Sequence, residues 1–301
     1  MKKVFIQVPA TSANCGPGFD TLGLACNLYN EVSYEITDKK GFQLEVEGEG
    51  ADYLKPFGRN LAFASFLRVW NAVTDGQRIG LKVKMLNRIP MSRGLGSSSS
   101  AIVAGLFAAN ALCDDHYTKD ELLDIATEIE GHPDNVAPAI FGALCVSFME
   151  EGHASMIRYG IKKDMHFIAI IPDYEVKTED ARKVLPTQMS YHDAVYQMGR
   201  CAAFAKALEI GNMLIVKKAC KDKMQEPYRK QLIPEYDKIR ALCERFGADT
   251  MFLSGSGSTM MALTREEECA MQLKKQLQIQ YPAWDLRILH ATYDGVQSEV
   301  L

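Results

Sequence analysis

The sequence predicts an α+β fold, and three observations carry that prediction. Strand-like and helix-like segments are interspersed without the regular βαβ spacing of a doubly wound sheet. No long linker or internal repeat divides the chain. The chain has 301 residues and is 47% hydrophobic, which suits one large or two medium domains. The pattern restarts past residue 155, which predicts domains over residues 1–155 and 156–301.

The elements follow in order. Segments 4–8, 31–36 and 42–46 are rich in β-branched and aromatic residues and read as strands. Over residues 59–73, Leu61, Phe63, Ala64, Phe66, Leu67 and Trp70 form a broad apolar stripe at helical spacing. "IGLKVKML" alternates and places Leu81, Val83 and Met85 on one strand face. A serine-rich segment leads into the apolar helix that starts near residue 97. Thr118 opens a capping box, so a helix runs to about Ile129, "GHPDNVAP" breaks it, and "ALCVSF" is the next strand. In the second half "HFIAIIP" is a buried strand, residues 178–184 a short helix and 191–208 a longer one. "IPEYDKIRALCERFG" carries proline in its first turn and ends on glycine. "DTMFLSGSGSTMMALT" reads as two strands and a tight turn, followed by a charged helix and a strand at 286–290.

Composition narrows the function. A net charge of −4 gives no domain-wide basic surface for a nucleic-acid backbone. The eight cysteines stand singly, with no CxxC pair and no metal-ligand spacing to the six histidines, which predicts reduced, mostly buried thiols. The first apolar run stops at Gln7, too short for a signal peptide, and no apolar stretch is long enough to span a membrane. The cytoplasm is the expected location.

Three loops hold the chemistry. "RGLGSSSSAIVAGLFAAN" joins two glycines to four serines and an apolar helix with no spacer. The first turn of a helix has unpaired N–H groups and a positive dipole end, and glycines let the backbone approach a ligand closely. On its local pattern the stretch reads equally as a phosphate cradle or as a glycine turn with a serine N-cap. No GxxxxGK[ST] occurs, so backbone dipoles and a metal would replace the usual lysine. "PATSANCGPGFDTLG" is crowded with turn formers, and its Asp20 either binds a cation or substrate amine or caps a helix starting at Thr21. "LSGSGSTM" is an anion nest or a β-turn. "EIEGHPDNVAP" offers Glu128 or Glu130 to Mg²⁺, which favours one or two carboxylates plus phosphate oxygens. Its His132 sits in a turn, where hydrogen bonding is the commoner role. A serine hydrolase would need GxSxG, which is absent.

Together these loops resemble the GHMP kinase superfamily and, within it, the homoserine kinases. "IPMSRGLGSSSSA" is similar to the superfamily's phosphate loop, and "LSGSGST" to its third motif. "PATSANCGPGFDTLG", "EIEGHPDNVAP", "TEDARKVLP" and "EPYRKQLIP" look like homoserine kinase segments. The resemblance implies a ribosomal-protein-like N-terminal domain with a left-handed βαβ unit and a ferredoxin-like C-terminal domain, with the site between them. It implies ATP- and Mg²⁺-dependent phosphorylation of the L-homoserine hydroxyl, towards threonine. By that resemblance Pro90, Met91, Ser92, Arg93, Gly94, Leu95, Gly96, Ser97, Ser98, Ser99 and Ser100 wrap the triphosphate, and Asn60 lies at the base. Ser98 and Glu130 would hold the metal. Asn14, Asp20, His132, Asn135 and Gly255 line the amino-acid pocket, with Arg182 and Arg229 on its carboxylate. Glu130, His132 and Asn135 are the candidates closest to the chemistry. A homodimer is a further expectation, and no nucleic-acid or membrane partner is expected. Other GHMP kinases, for mevalonate, a sugar or a diphosphocytidyl sugar alcohol, and a non-catalytic sensor on the same fold are the rival readings.

Overall fold

The computed structural model describes residues 2–54 and 60–301. Strands β1 (Lys3–Ala13) and β2 (Leu22–Thr37) form a long antiparallel pair, with a register shift at Pro9/Ala10. Strand β3 (Gly41–Gly48) lies parallel to β4 (Gly80–Asn87), so α1 (Leu61–Thr74) crosses between them. Arg59, where the predicted periodicity begins, lies outside the described residues. The first half continues with α2 (Ser97–Leu112), α3 (Lys119–Glu130), α4 (Pro133–Phe141), β5 (Leu144–Glu150) and β6 (His153–Tyr159).

The remaining elements are β7 (His166–Ile171), α5 (Thr178–Lys183), α6 (Tyr191–Ile210), α7 (Met213–Ala219), α8 (Glu226–Arg229) and α9 (Tyr236–Arg245), then β8 (Thr250–Leu253), β9 (Met260–Thr264), α10 (Glu267–Gln280), β10 (Asp285–Leu289) and β11 (Gln297–Val300). The first sheet runs β11-β1-β2-β4-β3, with β5 on β2 and β6 on β5. The second runs β10-β7-β9-β8. The first sheet is antiparallel apart from the β3–β4 pair and the second is antiparallel throughout, which makes this the α+β arrangement expected.

Packing follows the strand alternation. Val4, Ile6 and Val8 of β1, Val32 and Tyr34 of β2 and Leu81 and Val83 of β4 face α1 and α2 in one apolar cluster. Helix α2 is enclosed on nearly all sides, from Ile102 to Leu112, which is why it reads as apolar throughout rather than as a stripe. Each fully buried Leu or Phe there contributes about 1.5–3 kcal/mol. In the second sheet Ile168, Met251 and Ala262 face α9 and α10. Their neighbours Phe167, Phe252 and Met261 face α6 and α7, in a cluster that also contains Leu22, Leu24, Ile89 and Leu95 of the first half. The two halves therefore share an apolar seam.

Several sequence expectations are corrected. Residues 9–13 continue β1 instead of opening a loop, since they pair with β2 beyond the bulge. No helix starts at Thr21: Leu22 begins a strand paired to β1 and β5, so Asp20 is not a helix cap. The break at "GHPDNVAP" is only Gly131 and His132. Gly131 caps α3 with a left-handed φ of 93°, and Pro133 opens α4, where its missing N–H is harmless. Pro234 lies in the turn before α9 rather than in its first turn. The capping box at Thr118 and Glu121 is formed as the sequence indicates.

Candidate active site

A cleft of about 460 Å³ lies where the two halves meet, and the three loops converge on it. Gly96 is the N-cap of α2, with φ 71°, and the four serines are the first turn of the helix itself. This removes the serine N-cap reading, because the cap contributes no side-chain acceptor to the first-turn N–H groups. A Cβ at Gly96 would stand 2.0 Å from Thr11 Oγ1, so only glycine lets the β1 strand pass. At Gly94 a Cβ would meet the Ser254 carbonyl at 2.2 Å. The loops are bonded to one another: Ser254 Oγ donates to the Gly94 carbonyl at 2.6 Å and lies 2.7 Å from Ser12 Oγ. The Arg93 guanidinium donates to the Pro172 and Asp173 carbonyls, so the phosphate-loop segment offers backbone dipoles while its one cation braces the turn after β7.

One wall is acidic. Glu130, at the end of α3, accepts from Ser98 Oγ at 3.0 Å and from Ser99 Oγ at 2.9 Å. His132 Nδ1 and Asp134 Oδ1 are 2.5 Å apart. Burial disfavours the protonated imidazole, yet Asp134, with Glu130 and Asp20 nearby, outweighs it and raises the His132 pKa. Asn135 accepts from Thr11 Oγ1 at 2.8 Å.

Beside it the lining carries two cations. Asp20, at φ 52°, receives both Arg182 guanidinium nitrogens, each at 3.1 Å. Arg229 is 3% exposed and donates to the Ala181 and Gly255 carbonyls and to Gln225 Oε1. Burial, with Arg182 adding to it, pushes its pKa down to about 10 despite Asp20, Asp134 and Asp222 nearby. The Phe19 ring lies under both guanidiniums, at 5.1 Å from Arg229 and 5.8 Å from Arg182. Asn14 links this wall to the turn after β8: it donates to the Gly255 carbonyl and accepts from the Asp20 N–H.

The far end of the cleft is apolar, lined by Leu54, Leu61, Met85 and Ile102. Asn60 stands there and caps α1 by accepting from the Ala62 and Phe63 N–H groups. Every predicted site residue except Pro90, Leu95, Ser99 and Ser100 lines the cleft. Of those four, Ser99 reaches it through Glu130, while Leu95 packs into the shared apolar seam. Glu128 instead reaches outward to Arg68. Sequence reasoning missed Thr11, Phe19, Asp134 and Ser254. All four sit inside the quoted motifs, but their contacts are identified only by what folding places beside them.

The cleft can hold a polyanion at a helix N-terminus and, beside it, a small molecule bearing both charges. Comparison with known proteins gives the family. The model of the GHMP kinases N terminal domain matches residues 60–143, and that of the GHMP kinases C terminal matches residues 203–283. The chain is 38% identical to the homoserine kinase of Caldicellulosiruptor saccharolyticus, over 97% of this chain and 95% of that one. The crystal structure of homoserine kinase from Cytophaga hutchinsonii superposes with a TM-score of 0.88 at 28% identity, covering 99% of this chain and 97% of that one. Mevalonate kinase from Methanococcus jannaschii superposes with a TM-score of 0.72 at 17% identity, over 96% of this chain and 98% of that one, a likeness of fold alone.

Proposed function

The chain belongs to the GHMP kinases and, within them, to the homoserine kinases, and on that premise we propose how its cleft performs their reaction. The reaction is transfer of the ATP γ-phosphoryl group to the side-chain hydroxyl of L-homoserine, giving O-phospho-L-homoserine for threonine biosynthesis. One observation carries the assignment of roles: the capless N-terminus of α2 and the Asp20–Arg182–Arg229 cluster open onto the same cleft.

In this reading the triphosphate lies against Met91 to Gly94 and Gly96 to Ser98, the part of the predicted segment that lines the cleft, held by first-turn N–H groups and serine hydroxyls. The base occupies the apolar end beside Asn60. The homoserine carboxylate takes Arg229 and Arg182, and its ammonium takes Asp20, with Asn14 and Gly255 holding those groups in place. Its hydroxyl is then directed towards His132, Asn135 and the γ-phosphorus. Rate enhancement comes chiefly from this positioning and from charge neutralisation around the transferring group.

Ser98 and Glu130 would hold Mg²⁺. Their hydroxyl and carboxylate meet at 3.0 Å, an all-oxygen donor pair of the kind this hard cation prefers. When bound, Mg²⁺ supplies neutralisation of phosphate charge. Asn135 has no basic atom, and His132 is engaged by Asp134, which raises its pKa. In this reading the hydroxyl proton passes to the transferred phosphoryl group.

Residues 1–155 and 156–301 form the two proposed domains, with β11 returning to the first sheet. Cytoplasmic location and a homodimer complete the proposal. Among the described residues no helix is long and apolar enough to cross a membrane. A coupled ADP-release assay with ATP·Mg²⁺ against L-homoserine, mevalonate and galactose tests the reading. Turnover on homoserine alone is expected, and turnover on mevalonate without homoserine would overturn it.

A further inference from the structure

Asp20 and Arg182 are each other's counter-ions. Two guanidinium nitrogens meet two carboxylate oxygens at 3.1 Å each, in the planar fork that gives such pairs their geometry. Both ends of the pair are constrained. The Asp20 backbone is fixed by Asn14, and its carboxylate lies within 4.8 Å of ligand atoms of His132 and Asp134. Arg182 lies over the Phe19 ring that also carries Arg229. These are the same two groups that the reading above gives to the substrate ammonium and carboxylate.

We propose that Asp20 and Arg182 work as one exchange site that favours a zwitterion over either half of it. An α-amino acid replaces one ion pair with two, its carboxylate taking Arg182 while its ammonium takes Asp20. No bond is made or broken and the charge balance is kept. A ligand with a carboxylate alone leaves Asp20 without its counter-ion, and an amine alone leaves Arg182 so. The side chains are 34% and 40% exposed, so the pair resists opening by only a few-fold. Recognition of the two charges is therefore coupled, and neither is read independently. This inference rests on the substrate assignment made above.

The test uses two cut-down substrates, 4-hydroxybutyrate (no amine) and 3-aminopropan-1-ol (no carboxylate). Asp20→Asn is expected to lower kcat/KM for homoserine yet raise it for 4-hydroxybutyrate by about 3- to 5-fold over wild type, because Arg182 is released. Arg182→Gln is expected to do the same for 3-aminopropan-1-ol. The gain on 4-hydroxybutyrate should vanish when Asp20→Asn is made in an Arg182→Gln background. A gain that persists there is a field effect of removing a carboxylate and overturns the exchange. A raised homoserine KM with no gain on either fragment also overturns the exchange while leaving the substrate assignment standing. An unchanged homoserine KM in both variants overturns the assignment itself. Should a variant not fold, wild type gives the same answer with butyrate and propylamine as paired inhibitors: each should tighten the other, and independent inhibition overturns the exchange.

Discussion

Ser98 Oγ lies 3.0 Å from the Glu130 carboxylate, across a separation of 32 residues in the chain. Glu128, two residues earlier, pairs with Arg68 and its side chain is 68% exposed. One helix thus sends one acid into the cleft and the other to solvent. Glu130→Gln is expected to lower kcat by roughly 100-fold and to raise the Mg²⁺ concentration needed for half-maximal rate, with little change in homoserine KM. Glu128→Gln should change the rate less than about twofold. Magnesium titrations of both variants decide between the two carboxylates.

Gly96→Ala places a methyl group 2.0 Å from Thr11 Oγ1, on a backbone with φ 71°. The first turn of α2 must shift or unwind, and we expect an ATP KM raised at least tenfold with stability lowered by about 1–3 kcal/mol. Adding Thr11→Gly should recover part of the stability by removing the overlap, although the left-handed backbone strain remains. Thermal melts of the single and double variants separate the two contributions.

Glu226 is a buried carboxylate on α8, the helix that carries Arg229. It accepts from the Leu253 N–H at 2.6 Å, from Tyr236 at 2.8 Å and from Arg240 at 3.3 Å. Glu226→Ala leaves Arg240 without its counter-ion, with only Tyr236 and the Met251 carbonyl to receive it, and should destabilise the fold by about 3–5 kcal/mol. It should also raise homoserine KM, because α8 sets where Arg229 stands. Burial raises the Glu226 carboxyl above its ordinary 4.5 despite Arg240. Protons are then bound more readily in the folded than in the unfolded state, so this group's contribution is largest at low pH and is lost as pH rises through the raised value. The stability gap between wild type and Glu226→Gln should therefore widen from neutral pH towards 4.5. Urea titrations across that range check the sign.

The thiols of Cys26, Cys145, Cys220 and Cys243 are pushed up to about 12 by burial. Iodoacetamide at pH 8 should leave these four unmodified in the native protein and reach Cys113, Cys201 and Cys269 first, since those are only partly buried. In guanidinium chloride all eight should react. Intact mass spectrometry counts the adducts.

His132→Ala and Asn135→Ala test the route of the proton. Each should lower kcat without rescue by an added imidazole, since neither residue takes the proton in the mechanism above. Rescue with unchanged substrate affinities would show that a base had been removed.

The fold was legible wherever periodicity was strong. Helices α1, α3 and α6 and strands β4 and β7 lie close to where spacing put them. Strand β11 was missed because "QSEV" has no apolar face: all four residues are exposed, and the strand exists by pairing with β1. Asp20 was misread as a possible cap because a turn-rich loop can precede a helix or a strand equally well. In the cleft, residue types could be recognised before their contacts. Arg182 and Arg229 were legible as cations with no structural duty, yet the sequence did not show that one would pair with Asp20 and the other be buried against Gly255. Phe19 became part of the site only when both guanidiniums came to rest on its ring.

The pairing of β11 with β1 has a mechanical consequence. Val4 meets Val300 and Gln7 meets Gln297, so the chain before and the chain after the junction of the two proposed domains are held in the same sheet. A protease that nicks the connection between β6 and β7 opens the polypeptide without separating it. The two pieces should copurify, still clasped through that strand pair and the shared apolar seam, until a denaturant lets go of both.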